Sequence, residues 1–338
     1  MSGTRHSSAP ALCHDKDDTL KVIPNIPVPE LVEGEVVVIV MYSGVNPADI
    51  VHDFKVGDMM AGYTPTGIGR PSKYGTHQEY LSCPERLMFK VPENLPPTHA
   101  ACITAVTATA ADGLYNVFGF PLPGQEPASS FRRGPWLIWG GSGSVGICML
   151  QLARASCASP IFVTASPRRH ERLKRLGTTR CFDYRDPDVI SQIRTAAGES
   201  GAGPIAYAAD CTGTGGIREA GRETLISAEQ AEACGDGNTL VLSVVSHETK
   251  QYKLMMASAN RAFQFRQPNG IVLSFPERPE DCERIRETLK WAVDKYGTEF
   301  EMSKVEVFEG SAENALIRVQ NVMDRGEFGK LVLVQPPL

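Results

Sequence analysis

Apolar positions fall into two textures along the chain. Up to about residue 118 they form short runs broken by Gly and Pro. Glu35–Tyr42 (EVVVIVMY) is the longest, and its β-branched residues predict a buried strand. Ser43-Gly44-Val45-Asn46-Pro47 ends it. Further runs at Met59–Tyr63, Glu79–Ser82 and Leu87–Val91 give residues 57–95 an all-β texture with irregular connections. Residues 1–20 are polar and are expected to fray. His99–Tyr115, mostly Ala, Thr and Val, predicts a closely packed, buried helix. Gly119–Pro135 is a connector rich in Pro, Gly and Ser.

Beyond the connector, strand-like and helix-like runs alternate. Trp136–Trp139 precedes Val145–Ser156, Ile161–Ala165 precedes Arg168–Leu176, and Arg180–Asp183 precedes Val189–Ala197. Ala206–Asp210 and Thr239–Val245 add strands, Asp281–Tyr296 is a charged amphipathic helix, and Leu331–Val334 is a last strand. Alternation at this spacing predicts an α/β fold with a doubly wound parallel sheet.

Composition narrows the function classes. The chain has 338 residues, which suggests two domains, with 42% apolar and 22% charged residues, as in ordinary globular proteins. A net charge of −5 argues against nucleic-acid binding through a basic surface. The longest purely apolar stretch, Val36–Tyr42, is far short of the ~20 residues of a membrane helix, and the N-terminus has no apolar core of a secretory signal. Nine cysteines without a Cys-x-x-Cys, and seven histidines without a His-x-x-x-His, fit reduced thiols in a cytoplasmic protein without a metal site.

The sharpest chemical signal is Gly141-x-Gly143-x-x-Gly146 between a strand and a helix. Here Gly141 would permit the tight turn, Gly143 the approach of a pyrophosphate, and Gly146 the close packing of helix on strand. The helix N-terminus would offer N–H groups to the phosphates. At the end of the second strand an NAD binder places a carboxylate for the ribose 2′-hydroxyl. This chain has Ser166-Pro167-Arg168-Arg169 there, with Lys174 one turn on. A hydroxyl and two arginines suit a 2′-phosphate, which selects NADPH.

At this point the sequence resembles a known family. Gly140–Gly146, Ser166-Pro167, Phe182-Asp183-Tyr184-Arg185, Ala209-Asp210-Cys211 and Gly329-Lys330-Leu331-Val332 are similar to the zinc-independent medium-chain dehydrogenase/reductases. So are Asn46-Pro47-Ala48-Asp49, Gly75–Tyr80 and Val91–Leu95. Gly119-Phe120-Pro121-Leu122-Pro123 resembles the fungal trans-acting enoyl reductases of iterative polyketide synthases, of the lovastatin-pathway type.

The resemblance implies a GroES-like β-rich catalytic domain at 1–122 and 308–338 and a Rossmann domain at 123–307. It implies reduction, with NADPH, of an α,β-unsaturated polyketide held as an acyl-carrier thioester on a synthase. The protein would act as a monomer or homodimer, without metal, nucleic acid or membrane. Asn46, Ala48 and Asp49 would lie at the nicotinamide ribose, and Ser142, Gly143, Ser144 and Val145 at the pyrophosphate. Ser166, Pro167, Arg168 and Arg169 would meet the 2′-phosphate, and Tyr184 the adenosine ribose. Ser243, Val244, Phe328 and Gly329 would lie near the nicotinamide. Thr107, Thr109 and Ala110 would line the acyl pocket, with Asn46 and Thr109 at the reacting end.

Bland readings stand beside these: Asn46 as a turn cap before Pro47, Tyr184 as a surface aromatic, Thr107 and Thr109 as core threonines, and Asp210 as structural. The sequence departs from the family between Asp49 and Phe54, where only four residues replace a few tens, so a shortened catalytic domain is expected. A working short form, a gene model lacking an exon and a changed role compete as explanations. The functional alternatives are a quinone or enone oxidoreductase and a non-catalytic NADPH-binding protein.

Overall fold

The computed structural model describes residues 8–14, 20–30, 32–44, 55, 57–64, 67–127, 133–213, 227–245, 252–257, 261–266, 272–325 and 329–335. The chain divides into two compact units. One comprises Met1–Ala105, Ser258–Cys282 and Lys304–Leu338, and the other Val106–Ala257 and Glu283–Ser303.

In the first unit, β1 (Ser8–His14) pairs antiparallel with β2 (Leu20–Pro27). The expectation of a frayed N-terminus fails here. Ala11 and Leu12 are buried, and Leu12 packs with Ala315, Val319, Leu331 and Leu333. That burial offsets the poor strand propensity of the prolines, which a two-stranded pair tolerates.

β3 (Glu35–Ile39), β4 (Tyr42–Gly44), β5 (Met60–Gly62), β6 (Tyr80–Pro84) and β7 (Met88–Lys90) follow. β3 pairs with β6 and β5 with β7, both antiparallel. The run Glu35–Tyr42 is therefore two strands and not one buried strand. Val40 is buried, whereas Ile39 is 65% and Met41 51% exposed. Within β3 itself Glu35 to Val38 are half-buried and Ile39 is exposed, so the strand is only partly covered. Glu35 anchors β3 by accepting hydrogen bonds from Lys73 Nζ (2.5 Å), Tyr74 Oη (2.5 Å) and Ser82 Oγ. Burial works to raise its carboxyl, but these three donors hold it below the usual range.

α1 (Pro97–Ala111) is the predicted small-residue helix. It runs on into a π-helical turn, Asp112–Val117. The buried Asp112 carboxylate accepts from Asn116 Nδ2 (2.9 Å) and from the Met256 N–H (3.0 Å). A wider turn of this kind survives where side-chain bonds fix it.

The second unit is built on six parallel strands: β8 (Trp136–Trp139), β9 (Ile161–Thr164), β10 (Arg180–Phe182), β11 (Tyr207–Asp210), β12 (Leu240–Ser243) and β13 (Lys253–Leu254). Their order is β10-β9-β8-β11-β12-β13, every pair parallel. In sequence rank this is 3-2-1-4-5-6, the doubly wound dinucleotide-binding order. The helices α2 (Ser144–Ala155), α3 (His170–Arg175), α4 (Val189–Glu199) and α5 (Ser227–Ala233) connect or flank the strands. Alternate residues serve the two faces of the sheet. Leu137, Trp139, Phe162 and Ala208 pack with Val189 and Ile193 of α4 on one face. Trp136 and Tyr207 meet Phe118 and Phe120 edge-on, with centroids 4.6–5.2 Å apart. α6 (Pro279–Asp294) follows.

The first unit also holds a hairpin, β14 (Phe263–Arg266) with β15 (Val272–Phe275), then β16 (Val305–Phe308), α7 (Ala312–Arg325) and β17 (Lys330–Val334). β17 pairs parallel with β16 and antiparallel with β4.

The half-buried His77 titrates abnormally. Gln335 Nε2 donates to Ser43 Oγ (2.9 Å), and that hydroxyl lies 2.8 Å from His77 Nδ1, an arrangement that suits a neutral ring. Burial, then repulsion from Arg70, pushes the imidazole down from 6.5 to about 4. The unfolded chain therefore takes up this proton near pH 6.5, and the folded chain only near pH 4. Folding stability from this group is present above pH 6.5 and is lost as pH falls towards 4. The expected loss between about pH 7 and pH 5 is about 2 kcal/mol, at about 1.4 kcal/mol per unit. Urea unfolding at both pH values should show this extra loss in the wild type and not in His77→Gln. Equal pH slopes would mean an ordinary histidine.

Candidate functional site

The C-terminal edge of the parallel sheet gathers most of the residues singled out from the sequence. At the order reversal, between β8 and β11, the chain leaves the sheet on both sides, which opens a crevice outside the strand ends. Among the described residues this edge is met by Gly140–Gly143 after β8, Ser166–Arg169 after β9, Asp183–Arg185 after β10, Cys211–Gly213 after β11 and Val244–Val245 after β12.

The first turn is tied down on one side. Gly140 N–H donates to Thr164 Oγ1 (3.0 Å) and Gly141 N–H to Thr164 O (3.1 Å), so the end of β9 holds it. The left-handed residue is Gly140, at φ +81°, and not Gly141 as the motif suggested. A Cβ on Gly141 would meet Val163 Cγ1 at 2.2 Å, so that glycine serves packing on β9. A Cβ on Gly146 would lie 2.5 Å from Gly140 O and 2.7 Å from Gly141 Cα, which makes it the contact of α2 with the turn. Gly143 caps α2 with extended backbone and no side-chain cap bond. Ser142, Gly143, Ser144 and Val145 are all half-buried. Ser144 Oγ lies 2.9 Å from Ser303 Oγ. An anion with several oxygens fits a helix N-terminus whose first-turn N–H groups have no partner within the helix.

The second turn is cationic. Ser166 follows β9, Pro167–Arg169 form a 3-10 turn, and Arg169 N–H donates to Ser166 O (2.9 Å). Burial, then the charges of Arg168 and Arg172, lower the affinity of Arg169 for its proton. Arg172 is engaged elsewhere, with Glu301, and Lys174 with Glu171 at 2.7 Å.

The structure adds Arg185, to which the sequence alone assigns no role. Its Nη2 lies 3.3 Å from Ser166 Oγ, and its guanidinium covers the Tyr184 ring at 4.7 Å. Tyr184 itself is 42% exposed. The signal was available: β9 and β10 pair Thr164 with Phe182, so residues just past each strand are neighbours.

At the β11 and β12 ends, Asp210 is fully buried and saturated. It accepts from Thr212 Oγ1 (2.8 Å), the Thr212 and Gly213 N–H groups, and Ser243 Oγ (2.8 Å). That is the structural reading of Asp210. The Ser243 hydroxyl is buried in the same set of bonds, and Val244 is half-buried beside it.

On α1, Thr107 is buried and donates to Cys148 Sγ (3.7 Å), Ala110 is buried, and Thr109 is half-buried. Thr107 and Ala110 share a helix face, and Thr109 points elsewhere. Gly329 belongs to the first unit, at φ +110°, and its Cβ would meet Lys304 O at 2.5 Å. Asn46, Ala48, Asp49 and Phe328, and the segment after Asp49 read as shortened, lie outside the described residues. Among the described residues no group of three His, Cys, Asp or Glu is placed to hold a metal, and no helix is long and apolar enough to cross a membrane.

No protein-family model matches the chain. Among curated sequences it is 35% identical over 164 residues to the trans-enoyl reductase himH of Aspergillus japonicus, covering 48% of this chain and 46% of that one. It is 32% identical over 197 residues to the dual trans-enoyl reductase/FAD-dependent monooxygenase tazHJ of Aspergillus terreus, covering 58% and 26%. The chain thus spans about half the length of himH and about a quarter of tazHJ. Among solved structures, the quinone oxidoreductase of Coxiella burnetii superposes with TM-score 0.60 at 17% identity, over 97% of this chain and 98% of that one. An NAD-dependent alcohol dehydrogenase gives 0.63 at 18%, over 97% and 99%. The chain therefore has the fold of these oxidoreductases, a Rossmann unit with a GroES-like β-rich unit, and about half of its sequence is similar to fungal proteins named trans-enoyl reductases.

Proposed function

We propose that the chain is an NADPH-dependent enoyl reductase that acts in trans, in the cytoplasm, on the unsaturated thioester of a polyketide synthase. One observation carries the reading: a glycine turn opening an uncapped helix sits beside a serine and three arginines on the same sheet edge. The relation to trans-enoyl reductases supplies the reaction class.

NADPH, when bound, supplies a hydride for the β-carbon. In the substrate, hydride addition at the β-carbon would shift the C=C pair towards the carbonyl carbon and the carbonyl pair onto the thioester oxygen, and a proton from solvent would complete the α-carbon. This chain's residues position and polarise. Ser142 to Val145 and the α2 N-terminus hold the pyrophosphate. Ser166, Arg168, Arg169 and Arg185 hold the 2′-phosphate, beside Tyr184 at the ribose. Ser243, Val244, Phe328 and Gly329 fall to the nicotinamide, and Asn46, Ala48 and Asp49 to its ribose. Asn46 and Thr109 are assigned to the reacting end, as donors to the developing enolate, and Thr107 and Ala110 to the acyl wall.

The test is NADPH oxidation by the purified chain with an α,β-unsaturated acyl-pantetheine, with NADPH binding measured on the same sample. The expected result is binding and a saturated thioester. Binding without turnover, also with a synthase present, would replace the reading with a non-catalytic NADPH-binding protein. Turnover of quinones or small enones alone would make it a quinone or enone oxidoreductase.

A further inference from the structure

The first unit carries a concavity that none of the residues assigned above lines. It measures about 170 Å³ and is bounded by Tyr63, Gly67, Ile68, Arg70, Tyr74 and Arg261, with Phe263 behind. That is below the ~300–1,000 Å³ of a pocket that encloses a whole small molecule, so it fits a compact group at the end of a longer ligand.

Its walls are fixed. Ile68 N–H donates to Gln264 O (2.8 Å), which ties the 67–71 loop to β14. Gly67, at φ +128°, sits where a Cβ would come within 3.1 Å of Gln264 O and 3.2 Å of Phe263 Cβ. Only glycine allows that approach in that conformation. Phe263 stacks on Phe275 with centroids 4.9 Å apart, which holds the hairpin just beyond Arg261.

The charge pattern is directional. Two described lining residues are arginines and none is a carboxylate. Arg261 stands near enough to the Tyr74 hydroxyl to act on it, and that hydroxyl donates its proton to Glu35 Oε1. The Glu35 charge is met by Lys73. A guanidinium presents five donors in a fixed fork. Arg70 stands near enough to His77 for its charge to act on that ring, and His77 bonds Ser43, three residues before Asn46.

We propose that this concavity is an anion subsite for the phosphate of the phosphopantetheine arm that carries the acyl thioester. Planar guanidinium forks match phosphate oxygens. The carbon next to that phosphate in the arm bears two methyl groups, and Ile68, 49% exposed at the rim, with the Phe263 ring offers them an apolar wall. The identity of the arm rests on the reductase reading; the anion subsite does not.

The experiment is calorimetric binding of 4′-phosphopantetheine, pantetheine and inorganic phosphate to the full chain. Phosphopantetheine should bind about 10- to 100-fold tighter than pantetheine, the range expected of charge-assisted hydrogen bonds. Arg70→Gln and Arg261→Gln should each cut that advantage severalfold or more and leave NADPH affinity unchanged. Equal affinity of the wild type for the two arms would overturn the proposal, as would an advantage retained in both variants. Inorganic phosphate binding as tightly as phosphopantetheine would overturn the assignment to the arm. If a variant does not fold, the wild-type comparison still decides. No reading here needs turnover, so an inactive chain with phosphate-dependent binding would sink the reductase reading and leave the subsite standing.

Discussion

Gly146→Ala is expected to lower NADPH affinity more than 100-fold and to reduce stability by about 1–3 kcal/mol. The added methyl would stand 2.5 Å from Gly140 O and 2.7 Å from Gly141 Cα. Both atoms are backbone, so no side-chain rotation relieves the contact. Either α2 moves away from β8 or the Gly140–Gly141 turn deforms. That turn is already fixed by its bonds to Thr164, so the helix is the part that yields. Its first-turn N–H groups then lose their aim at the pyrophosphate, and each hydrogen bond to that charged group is worth about 1.5–3 kcal/mol. Gly143→Ala is the matched control. Its Cβ meets nothing closer than Gly140 O at 3.3 Å, so the fold should survive. Thermal unfolding and NADPH titration on the two variants separate the effects. If Gly146→Ala melted and bound like the wild type, the packing role given to Gly146 would be wrong.

The central strands were legible because parallel strands buried on both faces are continuous apolar runs, and Trp136–Trp139 is bounded in the structure as in the sequence. The same rule misled at Glu35–Tyr42, where a partly covered antiparallel pair carries an equally apolar run. The β1–β2 hairpin was invisible for the opposite reason. Its burial rests on Leu12, held by Leu331, Leu333 and Ala315 and Val319 of α7, some 300 residues away in sequence. Within the glycine turn, the letters could not say which of Gly140 and Gly141 adopts positive φ, because both are glycines and the choice is made by Thr164 on the neighbouring strand. Arg185 needed the pairing of β9 with β10 before its nearness to Ser166 could be seen.

The double change Arg168→Ala with Arg169→Ala should weaken NADPH binding by roughly 10²- to 10⁴-fold and leave NADH binding within about twofold. Each charge-assisted hydrogen bond is worth about 1.5–3 kcal/mol, and about 1.4 kcal/mol is tenfold in affinity. The two cofactors differ only in the 2′-phosphate, so the selective loss reports that group alone. The local electrostatics give the direction. Arg168, Arg169 and Arg172 crowd the start of α3, and a helix N-terminus disfavours cations. A dianion placed among them removes repulsion as well as adding bonds. Arg185→Ala should cost less, about tenfold, because its guanidinium reaches the spot through Ser166 and already stacks on Tyr184. Ser166→Asp should reverse the preference, since a carboxylate there repels the phosphate and accepts the ribose hydroxyls of NADH. Rising salt should weaken the NADPH complex of the wild type more than that of the double variant, as screening acts on partly exposed charges. Dissociation constants for both cofactors across these chains decide the matter. Equal losses for NADPH and NADH would show that the arginines support the fold or the shared part of the cofactor, and the 2′-phosphate would then need another home.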